Sequence, residues 1–153
     1  MPRYVARLAC LLAALLTAGL LAAVPATAAT GTTPAAKRIV AVAKKYVGHA
    51  RYVEGGASPK RGFDCSGFTK YVYAKAGAGT LPHNAEAQRR MKGMHRVSAG
   101  KARAGDLVFY SRPAFHVAIY AGKHMQYAAA TPRDGIRYQR VWSSDVTYGR
   151  LGR

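Results

Sequence analysis

The chain has 153 residues, and its 24 Lys and Arg against six Asp and Glu leave a formal net charge of +18 at pH 7. This length suits one domain with a modest core and is too short for a second domain. The charge favours polyanionic partners, among them wall polymers, lipid and nucleic acid. Basic and aromatic residues do not interleave along one element as they do in single-strand binders, so no specific nucleic-acid partner is expected.

Residues 1–28 have the pattern of a secretory signal peptide. Arg3 and Arg7 precede an apolar run over residues 8–24, and the A-T-A triplet at 26–28 has the form of a cleavage site. The run is a little short for a bilayer span, so no stable membrane anchor is expected after cleavage. We therefore expect a secreted or wall-associated protein, whose net charge falls to about +16 when the two arginines leave.

The first half of the remaining chain predicts helices. Residues 29–36 are interpreted as a short linker to a domain over 37–153, with Thr33 and Pro34 as cap and first position of a helix that ends at Gly48. After a loop rich in Gly and Pro, a second helix is predicted to begin at or just after Cys65 and to end at Gly77. A third, short helix is predicted from Asn84 through Met91.

The second half predicts strands. The run at 106–110 is apolar and β-prone, residues 111–114 form a turn, and residues 116–130 alternate as a hairpin with its tip at Gly122 and Lys123. Residues 131–142 add a turn and another strand. Helices followed by strands indicate an α+β domain in which N-terminal helices pack on an antiparallel sheet.

The sequence FDCSGF, residues 63–68, contains the one cysteine that remains after signal cleavage. A cysteine without a partner forms an intermolecular bridge, is buried and inert, or is reactive. At a helix N-terminus, the dipole and the free N–H groups would lower the thiol pKa below ~8.5 and hold an oxyanion beside the sulfur. In this interpretation Gly67 leaves the sulfur accessible, and Ser66 adds a small polar wall.

A nucleophilic thiol needs a base, and His116 is the candidate because it begins an apolar strand. Its ring could face a helix packed on the sheet, with Phe115, Val117 and Ile119 at the edge of the core. The alternative is an ordinary histidine at a strand end. The sequence has no HExxH and no paired CxxC, so neither a metal site nor a cofactor is expected.

Six segments, in this order and spacing, resemble the NlpC-type family of papain-like bacterial cell-wall cysteine peptidases; they are RYVEGG (51–56), GFDCSGF (62–68), TKYVYAKAG (69–77), LPHNAEAQ (81–88), AGDLVFY (104–110) and HVAIYAG (116–122). The resemblance implies a papain-like fold with Cys65 as nucleophile and His116 as general base and acid. It also implies that Tyr52 lines the active site. Asp64 precedes the nucleophile as in the family, and its alternative role is to cap the helix. Glu54 departs from the tryptophan that the family usually has there.

The third catalytic residue stays open. The family usually places a polar residue, often histidine, twelve residues after the catalytic histidine, where it orients the imidazole. Ungapped counting from His116 reaches Ala128, which cannot hydrogen-bond through its methyl group. A gap in the hairpin tip would bring Gln126 or Tyr127 to that position, and Gln126 is the leading candidate.

The resemblance therefore implies a secreted peptidoglycan endopeptidase that cleaves an amide bond of the wall stem peptides, by family likeness the bond from D-glutamate to a diamino acid. Its expected partners are stem peptides and, through charge, anionic wall polymers, and it is expected to be a monomer. Two alternatives remain: a wall amidase on the same fold, and a non-catalytic cationic protein that binds wall.

Overall fold

The structure is a computed structural model, and it describes residues 33–152. The predicted signal peptide and residues 29–32 of the predicted linker lie outside this range. The helices are α1 (Pro34–Lys44), α2 (Cys65–Lys75) and α3 (Ala85–Arg90), and a 3-10 turn spans Ala99–Lys101. The strands are β1 (Ala57–Ser58), β2 (Gly62–Phe63), β3 (Met94–Val97), β4 (Leu107–Tyr110), β5 (His116–Gly122), β6 (Met125–Ala129), β7 (Ile136–Arg140) and β8 (Val146–Leu151).

The main sheet has six antiparallel strands in the order β3-β8-β4-β5-β6-β7. One face is covered by α1 and α2, whose buried residues join the strands in the main core. β1 and β2 form a separate small hairpin beside α2. Helices packed on an antiparallel sheet confirm the predicted α+β class.

The predicted caps explain where the helices begin. The side chain of Thr33 accepts a hydrogen bond from Ala36 N–H at 3.2 Å, so α1 begins at Pro34, and residues 34–36 belong to the helix instead of the linker. The regular helix ends at Lys44, four residues before the predicted end at Gly48, and continues as turns. Asn84 caps α3 in the same way, accepting from Ala87 N–H at 2.9 Å.

The strands β3 and β8 were not predicted from the sequence. β8 lies between β3 and β4, so the C-terminal segment is an inner strand of the sheet. Gly149 interrupts its apolar pattern and weakens the strand signal. A Cβ there would lie 2.8 Å from both Met94 Sδ and a ring carbon of Phe109, so the glycine permits the close packing of β8 on its neighbours.

The opposite face of the sheet carries a smaller core of Val108, Tyr110, Tyr120 and Tyr148. The two edge strands β3 and β7 bear exposed arginines, Arg96 on one and Arg137 and Arg140 on the other. Charged side chains on edge strands discourage pairing with another chain. Among residues 33–152, we find no helix with the length and apolar character that a membrane span requires.

Candidate active site

Cys65 is the first residue of α2, and its neighbour Asp64 is the N-cap. Asp64 has extended backbone, and its Oδ1 accepts hydrogen bonds from Gly67 N–H at 2.6 Å and from the Ser66 hydroxyl at 3.1 Å. The carboxylate satisfies backbone donors that the first turn of a helix leaves free. The local sequence D-C-S-G thus places the thiol at the N-terminus of α2.

The second oxygen of Asp64 joins two further segments to this turn. Oδ2 accepts from Gly55 N–H at 2.9 Å and from His83 Nε2 at 2.8 Å. The side chain of Asp64 is buried, and its four hydrogen bonds compensate the cost of burying a carboxylate. His83 was not among the residues selected from the sequence, although it stands in the LPHNAEAQ segment.

Ser66 and Gly67 act differently from the expectation. The Ser66 hydroxyl donates to Asp64, so it is the backbone N–H of Ser66 that hydrogen-bonds the Cys65 sulfur. A Cβ on Gly67 would clash with the Gly56 carbonyl and lie 2.9 Å from His83 Nε2. Gly67 is therefore needed for the close packing of the 55–56 loop on α2, and access to the sulfur is not its main role.

The thiol of Cys65 does not have the lowered pKa that its helix position suggested. Burial is the largest effect and raises the pKa of Cys65, and the nearby carboxylates of Asp64 and Glu54 raise it further. Hydrogen bonds from the backbone N–H groups of Val117 and Ser66 lower the thiol pKa, but burial outweighs them. In the free protein at neutral pH, Cys65 is consequently a thiol.

His116 begins β5, one residue before the N–H group that contacts the sulfur. The thiol and the backbone at the start of β5 therefore lie at the same corner of the sheet. The imidazole packs against the rings of Tyr110 and Trp142, with centroid distances of 5.3 and 6.2 Å. Burial lowers the pKa of His116 to about 4, so the imidazole is neutral at neutral pH and free to accept a proton.

The surroundings of His116 differ from the expectation in two ways. Val117 and Ile119 are buried in the main core under the helices, as expected for that side of the strand. Phe115 is 65% exposed and does not belong to the core edge. His116 on β5 pairs with Tyr110 on β4, and its side chain lies on the face that carries the smaller core, so the expectation that its ring faces the helices was wrong.

The sheet register decides which third-residue candidates share a face with His116. Tyr120 pairs with Gln126, and Ile119 pairs with Tyr127. Side chains alternate along a strand, so Gln126 lies on the face of His116, and Tyr127 lies on the helix-covered face. Continued by two residues, the same register places Ala128 on the face of His116 as well.

Gln126 is fully buried beside this corner. Its Oε1 accepts a hydrogen bond from the Tyr110 hydroxyl at 2.7 Å, and Tyr110 packs on His116. Within residues 33–152, neither Gln126 Nε2 nor His116 Nε2 has a hydrogen-bond partner, although both atoms are buried.

Tyr52 lies in the loop that packs against the strand before Cys65. It forms a β-bridge with Phe63, and its hydroxyl donates to Glu54 Oε2 at 2.8 Å. Burial, followed by the contact with Glu54, raises the pKa of the Tyr52 phenol, so it stays protonated and can donate. No cluster of three or more His, Cys, Asp or Glu residues in the described range is arranged to hold a metal ion.

The comparison with known proteins agrees with this geometry. The model of the NlpC/P60 family matches residues 48–149, which include Cys65, His116 and every segment around them. The chain belongs to the NlpC/P60 family. Its resemblance to the NlpC-type peptidases and its papain-like α+β fold, both expected from the sequence, are confirmed.

Similar proteins are named as endopeptidases. The chain is 41% identical over 120 residues to "Probable endopeptidase p60" of Listeria monocytogenes, an alignment that covers 74% of this chain and 23% of the relative. It is 36% identical over 119 residues to "Bifunctional muramidase/DL-endopeptidase CwlT" of Bacillus subtilis, covering 71% of this chain and 34% of the relative. The chain therefore spans only a quarter to a third of these relatives.

Solved NlpC/P60 structures have the same fold. The crystal structure of the NlpC/p60 domain of the peptidoglycan hydrolase SagA has a TM-score of 0.65 at 34% identity, covering 74% of this chain and 96% of that domain. The peptidoglycan hydrolase RipB from Mycobacterium tuberculosis has a TM-score of 0.67 at 24% identity, covering 78% of this chain and 65% of RipB. At that identity, the second likeness concerns the fold alone.

Proposed function

We propose that this chain is a cysteine endopeptidase that cleaves an amide bond in the stem peptides of peptidoglycan. The observation that carries the proposal is the position of Cys65: its sulfur lies at the N-terminus of α2 and is hydrogen-bonded by the residue that follows His116. A thiol nucleophile and a base that is neutral at working pH, brought together when the substrate binds, are what amide hydrolysis by a thiol needs.

The raised pKa of Cys65 and the lowered pKa of His116 indicate how the reaction begins. The thiol and the imidazole are both neutral in the free enzyme, so the proton moves from Cys65 to His116 as the sulfur attacks the carbonyl carbon. The positive end of the α2 dipole stabilises the oxyanion, and the Ser66 N–H, which contacts the sulfur in the free enzyme, is close enough to donate to it. The imidazolium then protonates the leaving amine, and the acyl group remains on sulfur as a thioester.

The second half of the reaction returns the enzyme to its starting state. His116 takes a proton from water, the resulting hydroxide attacks the thioester carbonyl, and the thiol leaves with the proton held by His116. Tyr52 and Asp64 serve as support residues: Asp64 holds the turn that carries the sulfur, and Tyr52 lines the cleft beside it. Gln126 is proposed to orient His116 indirectly, by fixing the Tyr110 ring that packs on the imidazole.

The bond between D-glutamate and a diamino acid is the proposed target. Support comes from the names of two Bacillus subtilis relatives, the DL-endopeptidase CwlT and "Gamma-DL-glutamyl hydrolase", the latter 36% identical over 91 residues. Export through the N-terminal signal would bring the enzyme to its substrate. Anionic wall polymers would then hold the cationic, monomeric protein near the wall.

Digestion of defined wall fragments, followed by mass spectrometry, tests the proposal. The wild type should release fragments with a new amino terminus on the diamino acid, and Cys65→Ala should release none. A free L-alanine amino terminus with intact stem peptide would instead identify an amidase. Equal retention of both proteins on wall without any new fragment would identify a non-catalytic binding protein.

A further inference from the structure

The loop that contains Glu54 has a fixed backbone next to the nucleophile. Val53 N–H donates to Phe63 O at 2.9 Å, and Gly55 N–H donates to Asp64 Oδ2 at 2.9 Å. The residues on both sides of Glu54 are thus tied to the two residues that precede Cys65. The position of the Glu54 carboxylate follows from these backbone contacts.

The carboxylate itself is exposed and has no basic partner. Oε2 accepts from the Tyr52 hydroxyl, and Oε1 has no hydrogen-bond partner among residues 33–152. In the same range, Asp64, Glu86 and Asp106 each lie within ion-pair distance of His or Arg. Glu54 has no such contact among residues 33–152, as is also true of Asp134 and Asp145. Of these three acids, Glu54 is the one whose chain neighbours hydrogen-bond the segment before Cys65.

The negative charge of Glu54 disfavours ionisation of the Cys65 thiol. Glu54 contributes to the raised pKa of Cys65 because a nearby carboxylate disfavours a thiolate. An acid beside the cleft of a strongly cationic protein would therefore be a disadvantage if it stayed uncompensated during the reaction. A positively charged group on the substrate would neutralise the Glu54 carboxylate, and this would favour ionisation of the Cys65 thiol when it attacks.

The two sides of the cleft have different neighbours. His116, which protonates the leaving amine, packs against Tyr110, Phe115 and Trp142. Tyr52, by contrast, donates to Glu54 and forms its β-bridge with Phe63, two residues before Cys65. We therefore expect Glu54 to meet a part of the peptide other than the amine that leaves beside His116.

We propose that Glu54, held by the Tyr52 hydroxyl, binds an ammonium group of the peptide substrate and so selects peptides that carry a free amine close to the scissile bond. The inference rests on the proposed function. The ammonium has two chemical sources in a stem peptide: a free amino terminus, and the side-chain amine of a diamino acid. Both would make the same charge-assisted hydrogen bonds to the free Oε1.

Three tetrapeptides distinguish the sources: one with both amines, one with an acetylated amino terminus, and one with norleucine in place of the side-chain amine. We expect the wild type to cleave the peptide with both amines about three- to tenfold more efficiently, in kcat/KM, than the peptide that lacks the amine bound by Glu54. The difference should lie mostly in KM, and its size is that of a partly exposed ion pair. Glu54→Gln should lose this preference while still cleaving all three peptides. Asp134→Asn, which removes an exposed acid from the β6–β7 turn, should keep it.

Binding separates this inference from the proposed function. In a Cys65→Ala background, calorimetry should show the same amine preference, and adding Glu54→Gln should abolish it. Amine-dependent binding without cleavage by wild type would overturn the proposed function and keep the role of Glu54. Cleavage of all three peptides at equal rates, or a preference that persists in Glu54→Gln, would overturn the role of Glu54 and keep the function.

Discussion

At the residue scale, the sequence predicts where Cys65 and His116 lie but does not predict their protonation states. Their positions at a helix start and a strand start follow from local pattern, and the structure has both there. Their protonation states depend on burial, which raises the pKa of Cys65 and lowers that of His116. The expectation of a thiolate with a lowered pKa was wrong because it counted the helix dipole and omitted desolvation.

The thiol pKa is tested by alkylation. The rate at which iodoacetamide modifies Cys65 should rise with pH and should not level off below the ordinary thiol value of ~8.5, because only the thiolate reacts. Mass spectrometry of the modified peptide measures the rate, and Cys65→Ala gives the background. A rate already constant between pH 6 and 8 would show a thiolate and contradict the neutral starting state.

The lowered pKa of His116 predicts acid sensitivity of the fold. The unfolded chain takes up a proton on this imidazole near 6.5, whereas the folded protein takes it up only near 4. Folding stability should therefore fall as pH decreases through this window, by at most about 3 kcal/mol from this residue. Urea unfolding at pH 7 and pH 4 should show a smaller loss for His116→Asn than for wild type. An equal loss in both would contradict a buried neutral imidazole.

The role of Gln126 is tested by three variants. Gln126→Ala should lower kcat modestly, roughly three- to tenfold, because a weaker orienter changes geometry without removing the nucleophile. Ala128→His should leave activity similar or raise it. Loss of turnover in folded Gln126→Ala as complete as in Cys65→Ala would make Gln126 a full member of a triad. No effect at all would leave the orientation of His116 to backbone or solvent.

At the element scale, the start of α2 is where the separate segments of the site are held together. Asp64 links the helix, the loop at Gly55 and the segment at His83 through four hydrogen bonds. Asn84, the cap of α3, makes one such bond and is exposed. Two caps in one chain thus differ in burial and in the number of partners.

This difference predicts a ranking of stabilities. Asn84→Ala should cost about 1 kcal/mol of unfolding free energy, the usual effect of losing an exposed cap. Asp64→Ala should cost more, roughly 2 to 4 kcal/mol, because buried donors lose their acceptor. Urea denaturation of both variants in parallel checks the order. Equal costs would mean that the contacts of Asp64 beyond the cap contribute little.

At the scale of the whole molecule, the excess of basic residues predicts attachment to the wall by charge. The basic residues are distributed over the surface, including both edge strands, and do not form one arm. Attraction between such a surface and a polyanion is screened with a Debye length of ~8 Å at physiological ionic strength. The charge of the wall polymers would then determine where the protein is retained.

Sedimentation with purified wall tests this attachment. The retained fraction of Cys65→Ala, which leaves the wall undigested, should fall steeply between low and high salt. Wall stripped of its anionic polymers is the control and should retain much less protein even at low salt. Retention that is unaffected by salt would exclude attachment by charge.

The sequence by itself determined where the helices begin and which residues cap them, since each depends on neighbours within a few residues. Cys65 and His116 became the nucleophile and base candidates through the resemblance of six segments to one family. Thr33, Asp64 and Asn84 cap the three helices through contacts three residues away. The strand pattern around His116 was equally local. Short-range geometry of this kind is encoded in the order of residue types, and the family motifs repeat that order.

Only the tertiary structure decided the rest, because it depends on residues far apart in the chain. The insertion of β8 between β3 and β4 requires packing of Gly149 against Met94 and Phe109. The separation of Gln126 from Tyr127 onto opposite faces follows from strand register, which a sequence without hairpin geometry leaves open. The pKa directions of Cys65 and His116 follow from burial, which no local pattern specifies.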